Sequence, residues 1–224
     1  MKNVIFVLAT CISCATSWPL LAQADTDANA TLAEVGHRWA GATYATPDDR
    51  KVAAYEDALA DAERAVQQYP ARAEPKVWEA IVLASLAHAQ GGIGALGKAK
   101  RSRDLLLEAE KIDANAMDGS IYATLGSLYG KVPGWPIGFG DKKKAREYLD
   151  KAIAIDPSSI DSNYFYADFL VDQGDYSSAV RYLKRALDAP ARPGRDDADA
   201  GRRAEAQTML SMLHEKHAAA LAAN

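Results

Sequence analysis

Residues 118–157 read DGSIYATLGSLYGKVPGWPIGFGDKKKAREYLDKAIAIDP, and this stretch decides the fold. Its first part carries apolar residues at helical spacings, namely Tyr122, Leu125, Gly126 and Tyr129. Its last part carries a second such face at offsets of 0, 4 and 7 residues, closed by a proline at offset 12: Ala145, Leu149, Ala152 and Pro157. The residues between the two faces contain too much proline and glycine for a helix. The spacing therefore predicts two helices joined by a loop.

The offsets that begin at Ala145 recur at three other places in the chain. They begin at Ala58 and Ser102 before it and at Ala179 after it, with intervals of 44, 43 and 34 residues. A period of 34 residues is that of one helix–turn–helix repeat, so the two longer intervals predict insertions. We place these insertions in the glycine-rich stretches 90–98 and 132–140, which share the order Ile-Gly, apolar residue, Gly, basic cluster. Because repeats stack side by side, the two insertions should be neighbours on one edge of the array.

On these motifs the chain resembles bacterial exported tetratricopeptide-repeat proteins over residues 52–213. It departs from the repeat pattern at Asn163, where a large residue is usual, and at Ala167, where glycine is usual. The resemblance implies an all-α solenoid of antiparallel helix pairs that binds a partner in its concave groove, and it implies no chemistry. In export, helix count and layout the chain is also similar in outline to the periplasmic T-component of TRAP-type transporters.

The N-terminus has the composition of a secretory signal peptide. Lys2 precedes an apolar run, and Ala22-Gln23-Ala24 forms a small-x-small cleavage site. We therefore interpret residues 1–24 as a signal peptide and expect a periplasmic or secreted protein. The alternative of an uncleaved membrane anchor is disfavoured by Ser17, Pro19 and the cleavage site.

Both cysteines lie within the predicted signal peptide. A lipoprotein would need Cys11 or Cys14 as its acylated residue, and neither follows a suitable apolar core. The mature chain would contain no cysteine, which excludes disulfides, thiol catalysis and thiolate metal sites from it. No later apolar run is long enough to span a membrane.

Residues 25–224 are predicted to form a single helical domain of this tetratricopeptide-repeat type. A long alanine-rich helix at about 199–222 should cap the apolar edge of the last repeat, as a solenoid requires. The preceding helices are expected at 31–42, about 48–69, 74–89 and 159–173. Further helices are expected around the spaced apolar residues at 102–109, 122–129, 145–152 and 179–186.

The composition excludes several functional classes. The net charge of −4 and the pI of about 5.6 argue against a nucleic-acid-binding surface, which needs clustered basic residues. No nucleophile motif is present, and acidic pairs such as Asp48-Asp49 stand where they would cap helices. The sequence therefore predicts a protein that is not an enzyme and needs no cofactor.

Three motifs have both a functional and an ordinary explanation. Residues 92–98 fit G-x-x-x-x-G-K, but a helix precedes them and Ala99 replaces the Ser or Thr that holds Mg²⁺, which favours a linker. His214 and His217 are three residues apart without an evident third ligand, which favours a solvated face over a metal site. The run Lys142-Lys143-Lys144 is either a solvated face or an attraction for an acidic partner.

The loop 132–140 is the strongest functional pointer in the sequence. Its large apolar residues cost about 1.5–3 kcal/mol each when exposed, so they should pack somewhere. They either fold back over their own helix pair or line a pocket at the mouth of the groove. In the second interpretation Trp135 and Phe139 line a pocket opposite Tyr129 and Trp78, and Tyr164 and Asp168 face the same concavity. The candidate binding residues are therefore Trp78, His88, Tyr129, Trp135, Phe139, Tyr164 and Asp168.

Two functions remain open on the sequence. The first is an exported, non-enzymatic scaffold that binds a protein or peptide in its concave groove. The alternative is a periplasmic small-ligand binder or transport accessory with an apolar pocket under the loop 132–140. An elongated pocket lined by Trp135 and Phe139 would favour the second function.

Overall fold

The computed structural model describes residues 18–222, in which all regular secondary structure is helical and no β-strand occurs. The predicted all-α fold is confirmed. The helices are α1 (Trp18–Ala40), α2 (Asp48–Gln68), α3 (Ala73–Gln90), α4 (Gly92–Ile112), α5 (Ser120–Lys131), α6 (Lys142–Ile155), α7 (Ile160–Asp172), α8 (Tyr176–Leu187) and α9 (Asp196–Ala222), with a π-helical turn (Gly41–Ala45) after α1.

The helices form four consecutive antiparallel pairs followed by α9. The pairs are α1/α2, α3/α4, α5/α6 and α7/α8, and each first helix also packs against the first helix of the next pair. This is the stacking expected of a helical-repeat solenoid, in which each unit contacts its neighbours. We call the surface shared by α1, α3, α5 and α7 the inner face.

The repeating positions form the core of the stack. Every residue at offsets 0, 4 and 7 in the second helix of a pair is at most 1% exposed: Ala58, Ala62, Ala65, Ser102, Leu106, Ala109, Ala145, Leu149, Ala152, Ala179, Leu183 and Ala186. Small residues at these positions let the paired helices approach closely. In the third pair, a Cβ added at Gly126 would lie 2.6 Å from Leu149 Cγ. The sequence periodicity therefore predicts which residues are buried.

Polar side chains set the starts of several helices. Asp141 accepts hydrogen bonds from the backbone N–H groups of Lys143 and Lys144 and so caps α6. Ser159 and Asp175 cap α7 and α8 in the same way. These caps satisfy N–H groups that have no partner within their own helix.

The first glycine-rich insertion is not the loop that the sequence predicts. Only Gly91 separates α3 from α4, and residues 92–98 are the first turns of α4. The prediction of a linker at 90–98 is therefore wrong, although the extra residues are present as a longer helix. Glycine costs about 1 kcal/mol in a helix, and packing of buried Ala99 and Ser102 outweighs that cost here.

The second insertion is a loop, as predicted, and joins α5 to α6 over residues 132–141. At the N-terminus α1 begins at Trp18 rather than near residue 31. The first 17 residues, with Cys11 and Cys14, lie outside the described residues. The predicted cleavage site after Ala24 falls within α1. Ala28 is the first buried side chain described in α1, so the described buried residues of α1 would remain in a chain cleaved after Ala24.

Candidate functional site

The loop 132–141 is held at both ends by backbone hydrogen bonds. Gly140 N–H donates to the Pro133 carbonyl at 3.0 Å, and Asp141 N–H donates to the Tyr129 carbonyl at 2.9 Å. The Phe139 ring packs edge-on against Tyr129, with 5.2 Å between the ring centroids. Within the loop, a Cβ added at Gly138 would lie 2.8 Å from Val132 Cγ1, so its tight path requires glycine.

The two glycine-rich insertions are neighbours in space, as the sequence predicts. Leu96 of α4 lies against Gly138, and the Arg103 guanidinium stacks on the Phe139 ring at 4.6 Å. Leu96 and Arg103 are seven residues apart and therefore share one face of α4. The start of α4 and the loop 132–141 together form one surface, which we call the loop edge.

Two large apolar side chains of the loop edge are exposed. Trp135 is 90% exposed and Ile137 is 68% exposed, whereas Phe139 is partly buried against the core. The sequence left two arrangements open for this loop. Of its large aromatic and aliphatic side chains Trp135, Ile137 and Phe139, only Phe139 folds back onto the helix pair. Trp135 stands out from the fold, so it does not line an enclosed pocket with Phe139.

Four exposed lysines lie on α4 and at the start of α6, the two helices that adjoin the loop. Lys142, Lys143 and Lys144 are exposed at the start of α6, directly after the loop, and the ammonium of Lys144 lies 5.4 Å from the Tyr129 ring. Lys100 is exposed on α4 between Leu96 and Arg103. None of these four lysines forms an ion pair within the described part of the chain. The loop edge therefore combines an apolar tip with a positive rim.

The inner face is covered by the C-terminal part of the chain. The Asp197 carboxylate lies 2.9 Å from His37 of α1, and the Arg195 guanidinium stacks on Trp78 of α3 at 4.9 Å. Farther along α9, Arg202 donates to Asp161 of α7 at 2.8 Å. A segment that contacts the first helices of the first, second and fourth pairs must run across the surface that these helices share. The predicted capping helix therefore packs on α8 and also lies against the inner-face helices α1 and α7.

A buried ion network anchors this segment. Asp161 accepts hydrogen bonds from Arg192 and Arg202, each at 2.8 Å, and Arg192 also binds Asp199. Burial of Asp161 opposes its ionisation, but the charges of Arg202 and Arg192 outweigh that effect and hold the pKa of its carboxyl group well below the usual range. The network therefore stays charged over the physiological pH range.

Aromatic rings complete the contact between α7 and α9. The Arg202 guanidinium lies 4.6 Å from the Tyr164 ring and 4.7 Å from the Phe165 ring. Burial, with a further contribution from Glu205, raises the pKa of Tyr164 to about 12. The aromatic side chains on the inner face of α7 are therefore occupied by the chain itself.

The candidate binding residues predicted from the sequence do not all lie together in the structure. Trp78 is buried beside Trp39 and Gly36 rather than opposite Trp135, which corrects the pocket proposed from the sequence. Tyr129 and Phe139 do meet, as described above.

The remaining candidates do not line an open groove. Tyr164 is covered by Arg202, and Asp168 forms an ion pair with Lys131 at 2.9 Å. His88 is exposed near the end of α3. The predicted arrangement of Tyr164 and Asp168 along a free concavity is therefore corrected, because α9 lies there.

The structure also tests the other motifs. Residues 92–98 are helical, so they do not form a phosphate-binding loop. His214 is exposed, and the side chain of His217 lies outside the described residues. In the described part of the chain no group of three or more His, Cys, Asp or Glu side chains could bind a metal ion, and no helix there has the length and apolarity needed to cross a bilayer.

A comparison with known protein families identifies a repeat in the second half of the chain. A family model described as "Tetratricopeptide repeat" matches residues 137–193, which include α6, α7 and α8. The chain therefore contains a tetratricopeptide-repeat segment at these residues, within an all-α, solenoid-type fold. A search of curated proteins found no significant match.

Two solved structures are similar to the chain. One is a thermophilic TPR protein of Thermus thermophilus, with 17% identity, coverage of 70% of this chain and 92% of that chain, and a TM-score of 0.40. The other is pilF of Pseudomonas aeruginosa, with 15% identity, coverage of 86% and 94% respectively, and a TM-score of 0.35.

Proposed function

We propose that this protein is an exported, non-enzymatic scaffold that binds a protein partner through its loop edge. The observation that carries the proposal is the exposure of Trp135, at 90%, on a loop that is otherwise fixed by hydrogen bonds and ring packing. Exposed tryptophan is costly for a free protein and is enriched among the residues that dominate protein–protein binding.

The chemistry of the loop edge indicates the kind of partner surface it fits. A pocket that takes up Trp135 and Ile137 would remove two large apolar side chains from water, worth about 1.5–3 kcal/mol each. The unpaired Lys142 and Lys143 beside them would favour an acidic rim on the partner and speed association at low ionic strength.

The inner face is the less suitable surface for a partner. Tyr164 and Asp161 already contact arginines of the C-terminal segment, so a partner there would have to displace α9. The alternative small-ligand pocket under the loop is also disfavoured, because the Trp135 side chain points into solvent. Export rests on the composition of residues 1–24 and is tested by N-terminal sequencing of the protein purified from the cell envelope, where a mature chain starting at Asp25 is expected.

The binding proposal is tested by affinity capture with three versions of the protein. We expect Trp135→Ala to lose the partner that the unchanged chain captures from an envelope extract. Met212→Ala is the matched control, because Met212 is a large apolar side chain of α9 that is 56% exposed. Both substitutions should change the free energy of unfolding by no more than about 0.5 kcal/mol. Equal capture by the Trp135→Ala protein would contradict the proposal, as would a large loss of its stability.

A further inference from the structure

A cavity of 270 Å³ lies between α1, α3 and the turn that precedes α9. It is separate from the loop edge, because its walls come from the first two helix pairs and the turn at residues 193–195. This volume is slightly below that of pockets for drug-sized molecules, and it is enough for several water molecules or a small organic molecule.

The floor of the cavity is apolar. It includes Leu32, Gly36, Trp78 and Met117, and Leu32 and Trp78 are nearly buried. A Cβ added at Gly36 would lie 2.9 Å from Trp78 Cζ2, so glycine at this position allows the indole to lie flat against α1. Such a floor suits the apolar part of a ligand.

Two carboxylates line the walls, and each has a partner within the protein. Glu74 is bound by Arg72, with nitrogen–oxygen distances of 2.9 and 3.2 Å. The Asp197 carboxylate lies 2.9 Å from the ring nitrogen Nδ1 of His37. These acidic groups are therefore already engaged within the protein.

Arg195 is the exception among the charged groups of this region. Its guanidinium stacks on Trp78 and lines the cavity, but it has no ion-pair partner and no side-chain hydrogen-bond acceptor among the described residues. Its neighbour Arg192, by contrast, binds two carboxylates. Burial and the adjacent charge of Arg192 depress the pKa of the Arg195 guanidinium. The charges of Asp161, Asp199 and Asp197 act on this guanidinium from a distance. No side-chain acceptor among the described residues binds its five N–H donors directly, so they are available to a ligand.

We propose that this cavity binds a small carboxylate with an apolar substituent. The carboxylate would accept two hydrogen bonds from Arg195, since the planar guanidinium matches a carboxylate in bidentate geometry. The apolar substituent would pack on Trp78, Leu32 and Met117. A carboxylate beside an apolar group occurs both in a free organic acid and at the C-terminus of a peptide. The experiment below distinguishes these two kinds of ligand.

Isothermal titration of the full chain tests the proposal with defined probes. The probes are butyrate, hexanoate, benzoate and 3-phenylpropionate, each compared with its amide, and a short apolar peptide with a free or an amidated C-terminus. We expect at least one free carboxylate to bind with a Kd of about 1 mM or tighter, and its amide to bind about tenfold more weakly or not at all. Binding by the free acids identifies a small-molecule site, whereas binding by the free peptide alone identifies a peptide terminus as the source.

Substitutions at Arg195 assign the binding to the cavity. We expect Arg195→Gln to weaken carboxylate binding by about tenfold or more, and Arg195→Lys to retain part of it because the charge remains. Arg181→Gln is the control, since Arg181 is exposed on α8 and contacts Ser178. The proposal is overturned if no probe acid binds, if acids and amides bind equally, or if Arg195→Gln leaves binding unchanged. A lowered melting temperature without acid binding would mean that Arg195 only packs on Trp78.

Discussion

Asp161→Asn is the substitution that best tests whether the inner face holds α9 through ionic contacts. Its carboxylate binds Arg192 and Arg202, each at 2.8 Å, and Arg202 is only 6% exposed. Asparagine keeps the shape of the side chain but removes the charge, and its amide group would place a donor against one of the two guanidinium groups.

The expected loss of stability depends on the ion pairs that Arg192 and Arg202 keep in the Asp161→Asn protein. Breaking a buried ion pair by removing one partner costs about 3–5 kcal/mol, because a buried charge loses its compensation. Arg192 still binds Asp199 and Arg202 still binds Glu205, each at 2.6 Å, so the cost should fall near the lower end, about 3 kcal/mol. For a chain of this size that is a decrease of roughly 6–12 °C in melting temperature.

The assay is urea unfolding followed by far-ultraviolet circular dichroism at pH 7, repeated at lower pH. Asp172→Asn is the control, because the Asp172–Lys131 pair is exposed and worth no more than about 1 kcal/mol. The folded-state pKa of Asp161 lies below its unfolded value of about 3.9, so its contribution is complete above that pH and is lost as the pH falls below it. The difference between the Asp161→Asn protein and the unchanged protein should therefore shrink in acid. Equal stability of the two proteins at pH 7 would refute the anchoring role of Asp161.

Two further predictions concern the packing and capping of the third helix pair. Gly126→Ala should lower the free energy of unfolding by about 1–3 kcal/mol, because its Cβ would lie 2.6 Å from Leu149 Cγ. Gly130→Ala is the control and should be neutral or stabilising in the same urea titration, because its Cβ would lie 3.5 Å from Phe169. Asp141→Ala should cost about 1 kcal/mol because α6 loses its N-terminal cap, whereas Asp188→Ala at the C-terminal end of α8 should cost nothing. A similar loss in both alanine variants of either pair would contradict the reasoning.

The helix pairs could be predicted from sequence because their determinants are local. The offsets at Ala145 and its equivalents are set by the 3.6-residue period of a helix, which a sequence displays directly. The proximity of the two glycine-rich stretches also follows, since stacked repeats bring equivalent positions together. The structure at Gly92–Gly97 could not be predicted in this way. Glycine indicates a break locally, and only the burial of Ala99 and Ser102 against α3 keeps this stretch helical.

The course of α9 could not be predicted because its contacts join residues far apart in sequence. Arg202 and Asp161 are separated by 41 residues, and His37 and Asp197 by 160. An arginine in an alanine-rich helix suggests a solvent-exposed position when the sequence is considered alone. The one available signal was the cluster Arg192, Arg195 and Arg202, which follows a proline- and glycine-rich turn and needs carboxylates or aromatic faces elsewhere in the chain.

The position of α9 changes where a partner can bind. A solenoid with an open inner face offers a partner a preformed concave surface. The partner then does not have to displace any part of the protein before it binds. Here a partner at Tyr164 would first have to displace α9 and its contacts with Asp161, so part of the free energy of contact would be lost to that step. At the loop edge no such contact has to be broken, because Trp135 is 90% exposed and the neighbouring lysines form no ion pair within the described chain. The same ionic network that stabilises the fold therefore favours binding at the edge of the solenoid over its groove.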